Sequence, residues 1–476
     1  MFWLSFLNER NFIVCNLRPP DLVGALTPVN LHEEFERWMS SKDKSYNPRF
    51  LYDEKAIRKT YKSAVRLITT LAHLAEEYMQ YDDWQAELTT ELLVSQVEDL
   101  LATIENLEPI VKRRDLPIEK LNRAMERLFG KPTVRELDLS AKMTYKRKES
   151  MLVDDLIGED ERDQFSLEKL KVIVEGFLRN FKGILTTEEN DKLTEKIVKE
   201  EQTVEIFRKV LRYISEESEL KELHVRLCVA DEIDRFGVAP LTAEVKAFRV
   251  DVPTEDLFAD QLLQAVAHEL NTHLRVMAST AKLQDAVSPY FRPSMVARTQ
   301  RALAQEGFAT LNGDSCIDDA FCCWFEPMLL LTPTYARQGH NFAEAARFVY
   351  ETYNIDPSCE DNGIHRDIWT LSQIFYVIED TSVRDGYTLP WMQVYFLGSL
   401  RTLKELARVD GEQFEEPLSL MRYSELPLEF IPKINRLEKQ LGQKLTSDPF
   451  EKWDFANLKP EVMTPTEYCK HLLLEL

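Results

Sequence analysis

Residues 265–274, with the sequence AVAHELNTHL, constrain the fold most, because they place two histidines and a carboxylate in an otherwise apolar helical run. Neutral imidazoles are the usual protein ligands of zinc, and a carboxylate beside the first ligand can take a proton from water. In a chain of this composition, a His-acid-x-x-x-His pattern is expected by chance only about 0.02 times. We therefore interpret His268 and His273 as metal ligands and Glu269 as a general base.

The spacing of the two histidines predicts a locally widened helix. In the familiar helical zinc motif the histidines are four residues apart, about 40° from each other around the axis. Here they are five residues apart, which in a regular helix separates the side chains by about 140°, too far for one small ion. Ligation by both therefore predicts a π-type turn, a feature often found at functional sites. The alternative is a regular buried helix with two hydrogen-bonded histidines and no metal.

Glu306, within the segment QEGFA, is the candidate third ligand, 33 residues after His273. We expect it at the end of a helical segment that begins near Ser294. Two His and one Glu leave one coordination position for water and substrate, which is the pattern of catalytic zinc sites. The sequence therefore predicts a catalytic Zn²⁺ site.

The segments HELNTH and QEGFA together resemble the QEGLA-motif proteins, a zinc peptidase family related to the microtubule-associated tyrosine carboxypeptidases. Other blocks that match in the same order are Pro28-Val29-Asn30-Leu31, Tyr46-Asn47-Pro48, Leu128-Phe129-Gly130-Lys131-Pro132, Asp380-Thr381-Ser382 and Gln393-Val394-Tyr395, so that the resemblance covers about residues 25–408. It implies a peptidase of the gluzincin kind. It also implies that the three ligands proposed above hold Zn²⁺ and that Glu269 is the general base.

The chain departs from the family pattern at two places. The family usually has an Arg-Gly pair and a Lys-Asp pair where this chain has Tyr376-Val377 and Trp391-Met392. Basic residues near a peptidase cleft are natural partners for a substrate's terminal carboxylate. Polar groups in the later loops that are able to replace them are Arg366, Arg384, His340 and His365.

The expected substrate is the C-terminal tail of a peptide or protein, from which a carboxypeptidase releases an aromatic residue. Tyr376 and Trp391 favour an aromatic pocket. One alternative is an endopeptidase or amide hydrolase that uses the same metal. Another is a non-catalytic regulatory or interaction protein with a retained metal site, although an acid beside the first ligand is not needed for a structural site.

Charge and composition exclude several partners. The net charge is −22 and the pI about 5.0, which argues against nucleic acid or anionic membrane because both would be repelled. No apolar run approaches the eighteen or so residues needed to cross a bilayer, and the apolar opening at residues 1–7 is too short for a signal peptide. Seven scattered cysteines without a C-x-x-C pair favour free thiols in the cytoplasm.

We expect an α+β fold that is mainly helical, with a zincin-like (gluzincin) core. Apolar residues recur at helical intervals between residues 54 and 218, including Ala64, Leu67, Leu71 and Leu74 on one helix and Val94, Val97, Leu100, Leu101 and Ile104 on another. Alternation at residues 223–229 and 244–252 predicts a small β-sheet, after which residues 251–256 are expected to begin the metal helix. The predicted domains are an N-terminal extension and helical region (1–218), a catalytic core (219–408) and a C-terminal tail (409–476).

Overall fold

The computed structural model forms two compact units. Unit 1 comprises residues 1–147, 289–303 and 324–397, and unit 2 comprises residues 148–288, 304–323 and 398–476. Within them the structure describes residues 22–81, 84–113, 118–145, 157–161, 164–166, 168, 170, 187–217, 224–229, 237–240, 247–253, 256–274, 299–314, 325–353, 375, 390–408, 442 and 465–476. In these ranges no helix combines the length and hydrophobicity that crossing a membrane requires.

The described part of the chain is mainly helical with small β-sheets, which confirms the predicted fold class at this level. The α-helices are α1 Leu22–Leu26, α2 Leu31–Met39, α3 Glu54–Tyr78, α4 Trp84–Lys112, α5 Ile118–Phe129, α6 Val134–Tyr145, α7 Thr187–Glu195, α8 Glu200–Glu217, α9 Ala259–Ala265, α10 Thr299–Asp314, α11 Phe325–Ala336, α12 Phe342–Tyr353, α13 Gln393–Leu406 and α14 Pro465–Glu475. The strands are β1 Ile197–Val198, β2 His224–Val229, β3 Gly237–Pro240, β4 Ala247–Val252 and β5 Leu257–Phe258. A π-helix, Val266–Leu274, follows α9 directly.

In unit 1, α3 and α4 pack against each other through faces on which residues recur every three or four positions. The stripe predicted on α3 is confirmed, since its alanine and three leucines are buried. The stripe predicted on α4 is wrong in part, because Val94 and Leu101 are 37% and 44% exposed. The buried face of α4 includes the polar side chains of Gln96, Asp99, Thr103 and Asn106. Thr103 and Asn106 donate to backbone carbonyls one turn earlier, so a purely apolar pattern misses this face.

Two blocks of the family resemblance meet around the buried carboxylate of Glu34 in unit 1. Its Oε2 accepts hydrogen bonds from the Tyr46 hydroxyl and the Arg49 N–H, each at 2.7 Å. Its Oε1 accepts one from the Arg37 guanidinium, and the Asn30 side chain donates to the Arg49 carbonyl at 2.9 Å. Burial raises the pKa of Glu34, but these donors and the Arg37 charge outweigh it, so the pKa lies below its usual range. The blocks are therefore joined by a charged hydrogen-bond network.

Two further blocks meet near Gly130, which lies between α5 and α6 with φ at +87°. The buried side chain of Gln393, the first residue of α13, donates to the carbonyls of Phe129 and Gly130 at 3.1 and 2.6 Å. Trp391 packs edge-on against Phe129, with ring centroids 5.8 Å apart. Trp391, which stands where the family has a basic residue, thus contributes to the core of unit 1.

The main sheet of unit 2 has the strand order β2-β4-β3, with β2 parallel and β3 antiparallel to the central β4. The strands predicted from alternation are therefore confirmed. Val250 and Val252 are fully buried, whereas the guanidinium of Arg249 is half-exposed and pairs with Asp251 on the same strand. Among the described strands β3 is an edge, and it packs against the π-helix.

A second sheet, in which β1 pairs antiparallel with β5, fixes where α9 begins. The N–H of Ala259, the first residue of α9, donates to the Lys196 carbonyl at 2.9 Å. The prediction that residues 251–256 begin this helix is wrong, because Asp251 and Val252 end β4 and Asp256 directly precedes β5. Asp256 instead accepts from the N–H of Glu200 at 3.0 Å, and so caps the start of α8.

The C-terminal helix α14 packs against α8, α9 and the π-helix. Cys469 and Leu473 are fully buried, and Tyr468 stacks on Tyr213 of α8 with ring centroids 4.4 Å apart. The Lys196 ammonium donates to the Leu473 carbonyl at 2.8 Å. The last residues of the chain thus belong to the core behind the π-helix, although their sequence carries no motif.

We expect Glu34→Gln to lower the free energy of unfolding at neutral pH by about 2–4 kcal/mol, because an amide NH₂ would face hydrogen-bond donors in either orientation. The folded-state pKa of Glu34 is depressed. Its ionised form therefore stabilises the protein above the unfolded pKa of about 4.3, and this contribution is lost as the pH falls through the lower folded value. Urea unfolding at several pH values should show the difference from wild type shrinking below about pH 4.

The matched control is Glu33→Gln, which changes an exposed acid on the same helix. Its effect should stay within about 0.5 kcal/mol. Equal effects of the two variants, or a Glu34→Gln difference that grows on acidification, would contradict the role of this network.

Candidate metal centre

The π-helix brings His268 and His273 to the same side of the backbone. Residues 266–274 form this wider helix, in which hydrogen bonds connect residues five apart. The Nε2 atoms of the two histidines lie 3.1 Å apart. The π-type turn predicted from their five-residue spacing is therefore confirmed.

Glu306 completes a triangle of donor atoms within unit 2. Its Oε2 lies 3.3 Å from the Nε2 of His268 and 3.2 Å from the Nε2 of His273. The exposed fractions of the three side chains are only 7–17%. Among the residues that the structure describes, these three form the one group of His, Cys, Asp or Glu side chains able to share a metal ion.

The spacing of these donors suits zinc. A four-coordinate tetrahedral ion with bonds of about 2.0–2.1 Å places its ligand atoms about 3.3–3.4 Å apart. The three observed distances are 3.1, 3.2 and 3.3 Å. Two imidazole nitrogens and a carboxylate oxygen are also the ligand types that zinc prefers. The residues present therefore fit the Zn²⁺ ion expected from the sequence.

Glu306 lies on α10. The prediction that it ends this helix is wrong, because it lies in the middle of Thr299–Asp314. The next residue, Gly307, makes a close crossing with α13 possible, because a Cβ there would lie 2.1 Å from the carbonyl carbon of Gly398. The hydroxyl of Ser399 donates to the Gly307 carbonyl at 3.1 Å. Gly307, the glycine of the QEGFA segment, thus has a packing role that fixes α10, the helix of Glu306.

The ionised form of Glu306 is strongly favoured. Burial raises its pKa, but the charge of His273 and hydrogen bonds from both histidines outweigh this effect and hold the pKa well below its usual range. A carboxylate that stays ionised is the form that binds a cation. Glu306 is therefore suited to be a ligand rather than a proton carrier.

Glu269 has the opposite electrostatic balance. Its Oε1 lies 4.0 Å from the Nε2 of His268, and the residue is buried. Burial raises the pKa of Glu269 above its usual range, the charges of Glu306 and Asp251 raise it further, and the two histidines oppose the shift. A carboxyl group with a raised pKa beside the donor triangle is suited to accept and return a proton.

Of the polar candidates for binding a carboxylate, the described residues include His340. His340 pairs with Glu344 in unit 1, with Nδ1 and Oε2 3.4 Å apart, and its ring stacks on Tyr335. Arg366 and Arg384, the predicted substrate-binding residues, lie outside the described residues, as do His365 and Tyr376.

Sequence reasoning missed several residues around the site. Asn312 donates through its side chain to the hydroxyl of Thr272 at 2.8 Å, and Asp251 contributes to the pKa of Glu269. The local pattern around Asn312 gives no signal for its contact, which joins residues 40 positions apart. Asp251 lies in the stretch 244–252 that alternation predicts as a strand, but nothing in that pattern indicates an effect on the pKa of Glu269.

No protein-family model matches the chain, and no curated protein matches it.

We predict that the purified protein contains about one zinc per chain. His268→Ala or Glu306→Gln should remove most of this metal, because two donors without the third do not make a stable site. Metal analysis of the dialysed proteins by mass spectrometry tests this directly. The control is His471→Ala, which removes an exposed histidine paired with Glu475 on α14 and should leave the zinc content unchanged. Equal zinc in all four proteins would overturn the ligand assignment.

Proposed function

We propose that this protein is a zinc-dependent peptidase. The observation that carries the proposal is the triangle of His268 Nε2, His273 Nε2 and Glu306 Oε2, with sides of 3.1–3.3 Å, beside the buried carboxyl of Glu269. Three protein ligands leave a fourth position for reactants, which is characteristic of catalytic zinc sites. A purely structural site has no use for the neighbouring acid.

The chain's own residues divide the chemistry between them. His268, His273 and Glu306 would hold Zn²⁺, which would polarise a substrate carbonyl and lower the pKa of bound water toward about 7. The carboxylate of Glu269 accepts the proton of the attacking water as its oxygen bonds to the peptide carbon. Glu269 then returns that proton to the nitrogen of the leaving amine as the C–N bond breaks.

A zincin-like arrangement of unit 2 is part of this proposal. The short sheet lies beside the helix that carries two ligands, and its edge strand β3 packs on that helix. An extended peptide can add to such an edge through backbone hydrogen bonds. Membership of the QEGLA-motif family, proposed from the sequence blocks, is consistent with the roles that Gly307, Gly130 and Gln393 have in the structure.

The proposed substrate is the C-terminal tail of a peptide or protein, with release of an aromatic residue. This part rests on the family resemblance. The alternative is an endopeptidase or amide hydrolase that uses the same metal. Trp391 favours it, because this residue packs on Phe129 and stands where the family pattern has a basic residue able to bind a terminal carboxylate. We place the protein in the cytoplasm because Cys228 and Cys469, the described cysteines, are free thiols.

We expect Glu269→Gln to retain zinc and to lose activity on peptides by roughly 10²–10⁴-fold, because the amide keeps the size of the side chain but cannot accept the proton. Zinc content and peptide hydrolysis are measured on the same preparation. Glu205→Gln is the control, since Glu205 is a half-exposed acid paired with Arg208 on α8. Hydrolysis by Glu269→Gln at the wild-type rate would exclude Glu269 as the base.

The carboxypeptidase assignment predicts that a peptide ending in Tyr or Phe is cleaved only with a free C-terminal carboxylate. The same peptide with an amidated C-terminus is the comparison, and the released amino acid is measured by chromatography. Loss of the preference in Arg366→Ala or Arg384→Ala would identify the residue that binds the carboxylate. A preference that neither change affects would mean that both candidates are wrong. Equal cleavage of the two peptides would favour the endopeptidase.

A further inference from the structure

A buried hydrogen-bond chain connects the two helices that carry the metal ligands. The Thr272 hydroxyl donates to the carbonyl of Ala267 at 2.9 Å, and the side-chain amide of Asn312 donates to the same hydroxyl at 2.8 Å. Thr272 and Asn312 are 0% and 4% exposed. The hydroxyl has one proton, which it gives to Ala267, so it accepts from the amide NH₂ of Asn312.

The first bond of this chain ties together the backbone on either side of the π-type turn. Ala267 immediately precedes His268, and Thr272 immediately precedes His273. The bond therefore joins positions five residues apart, the interval that separates the two ligands. In a regular helix the Thr272 hydroxyl would not face the Ala267 carbonyl in this way, so the hydrogen bond favours the wider turn.

The second bond fixes the helix α10 against the π-helix. Asn312 lies six residues after Glu306 on the same helix. Its neighbour Gly313 lies against the same part of the chain: a Cβ there would be 3.2 Å from the side-chain Cγ of Gln264 on α9 and 3.7 Å from His268 Cβ, an ordinary contact distance. The contact between α10 and the π-helix at Asn312 thus helps to set where Glu306 lies relative to the two histidines.

We infer that Thr272 and Asn312 are positioning residues that set the donor triangle before a metal binds. The inference rests on the metal site of the proposed function, and it adds two residues that support the segments carrying the ligands. Thr272 acts through its bond to the backbone beside His268, and Asn312 acts through α10, the helix that holds Glu306. Partners of this kind typically change metal affinity by about 10–100-fold when they are removed.

The test compares Zn²⁺ affinity, measured by competition with a chromophoric chelator, in the full-length wild type, Thr272→Val and Asn312→Ala. Thr272→Val keeps the shape of the side chain but removes the hydroxyl, and we expect about 10–100-fold weaker binding in both variants. The double variant should lose little more than Thr272→Val alone, because that change already removes the acceptor of the Asn312 amide. Thr272→Ser keeps the hydroxyl and should restore wild-type affinity.

A structural readout accompanies the affinities. Co²⁺ substituted for Zn²⁺ should give a visible absorption spectrum that changes in Thr272→Val and Asn312→Ala but not in Thr272→Ser. Thr203→Val is the matched control, since Thr203 is a fully buried threonine on α8 and its loss should leave both affinity and spectrum unchanged. Asn312→Ala leaves the sequence of the π-helix intact, so it tests the chain even where Thr272→Val does not fold.

The outcomes separate this inference from the proposed function. If wild type binds Zn²⁺ and the variants bind it equally well, the positioning role is overturned and the zinc site is retained. An equal loss of affinity in Thr203→Val would also overturn it, because the effect would then be general destabilisation. Wild type that binds no Zn²⁺ would overturn both.

Discussion

The structure depends on the convergence of two imidazole nitrogens and one carboxylate oxygen within 3.1–3.3 Å of one another. Burying a carboxylate costs several kcal/mol unless positive charge or hydrogen bonds compensate. The histidines compensate Glu306 in part, as the low pKa of its carboxyl group shows. A cation that displaced the protons of the two imidazoles would take over this compensation, with the neutral nitrogens as its ligands.

Close packing of helices keeps this arrangement rigid. Gly307 allows the backbone of α13 to cross next to Glu306, and Gly313 of α10 lies against Gln264 and His268. On another side of the π-helix, α14 contributes the buried Cys469 and Leu473 to the same unit. A π-helix has weaker intrinsic stability than an α-helix and is seen mostly in short pieces. Its nine residues therefore rely on contacts with segments distant in sequence.

Environment gives the two carboxyl groups of the site different chemical characters. Glu306 has its oxygen against two imidazoles, and its pKa is lowered. Glu269 lies one residue from His268 yet has its pKa raised, because burial and the charges of Glu306 and Asp251 outweigh the histidines. Separation of two carboxyl pKa values is how one site provides both a permanent anion and a proton carrier. Residue type alone does not distinguish the two roles.

The sequence by itself determined the features that follow from local periodicity. The five-residue spacing of His268 and His273 predicted a widened helix on the condition that both bind one ion. Alternation predicted the strands of the small sheet. Both patterns depend on the backbone of their own segment. Tertiary structure decided the rest. Asp256 caps α8 instead of starting α9, and Asn312 pairs with Thr272 across 40 positions. These contacts arise when packing brings distant segments together, which no local pattern encodes.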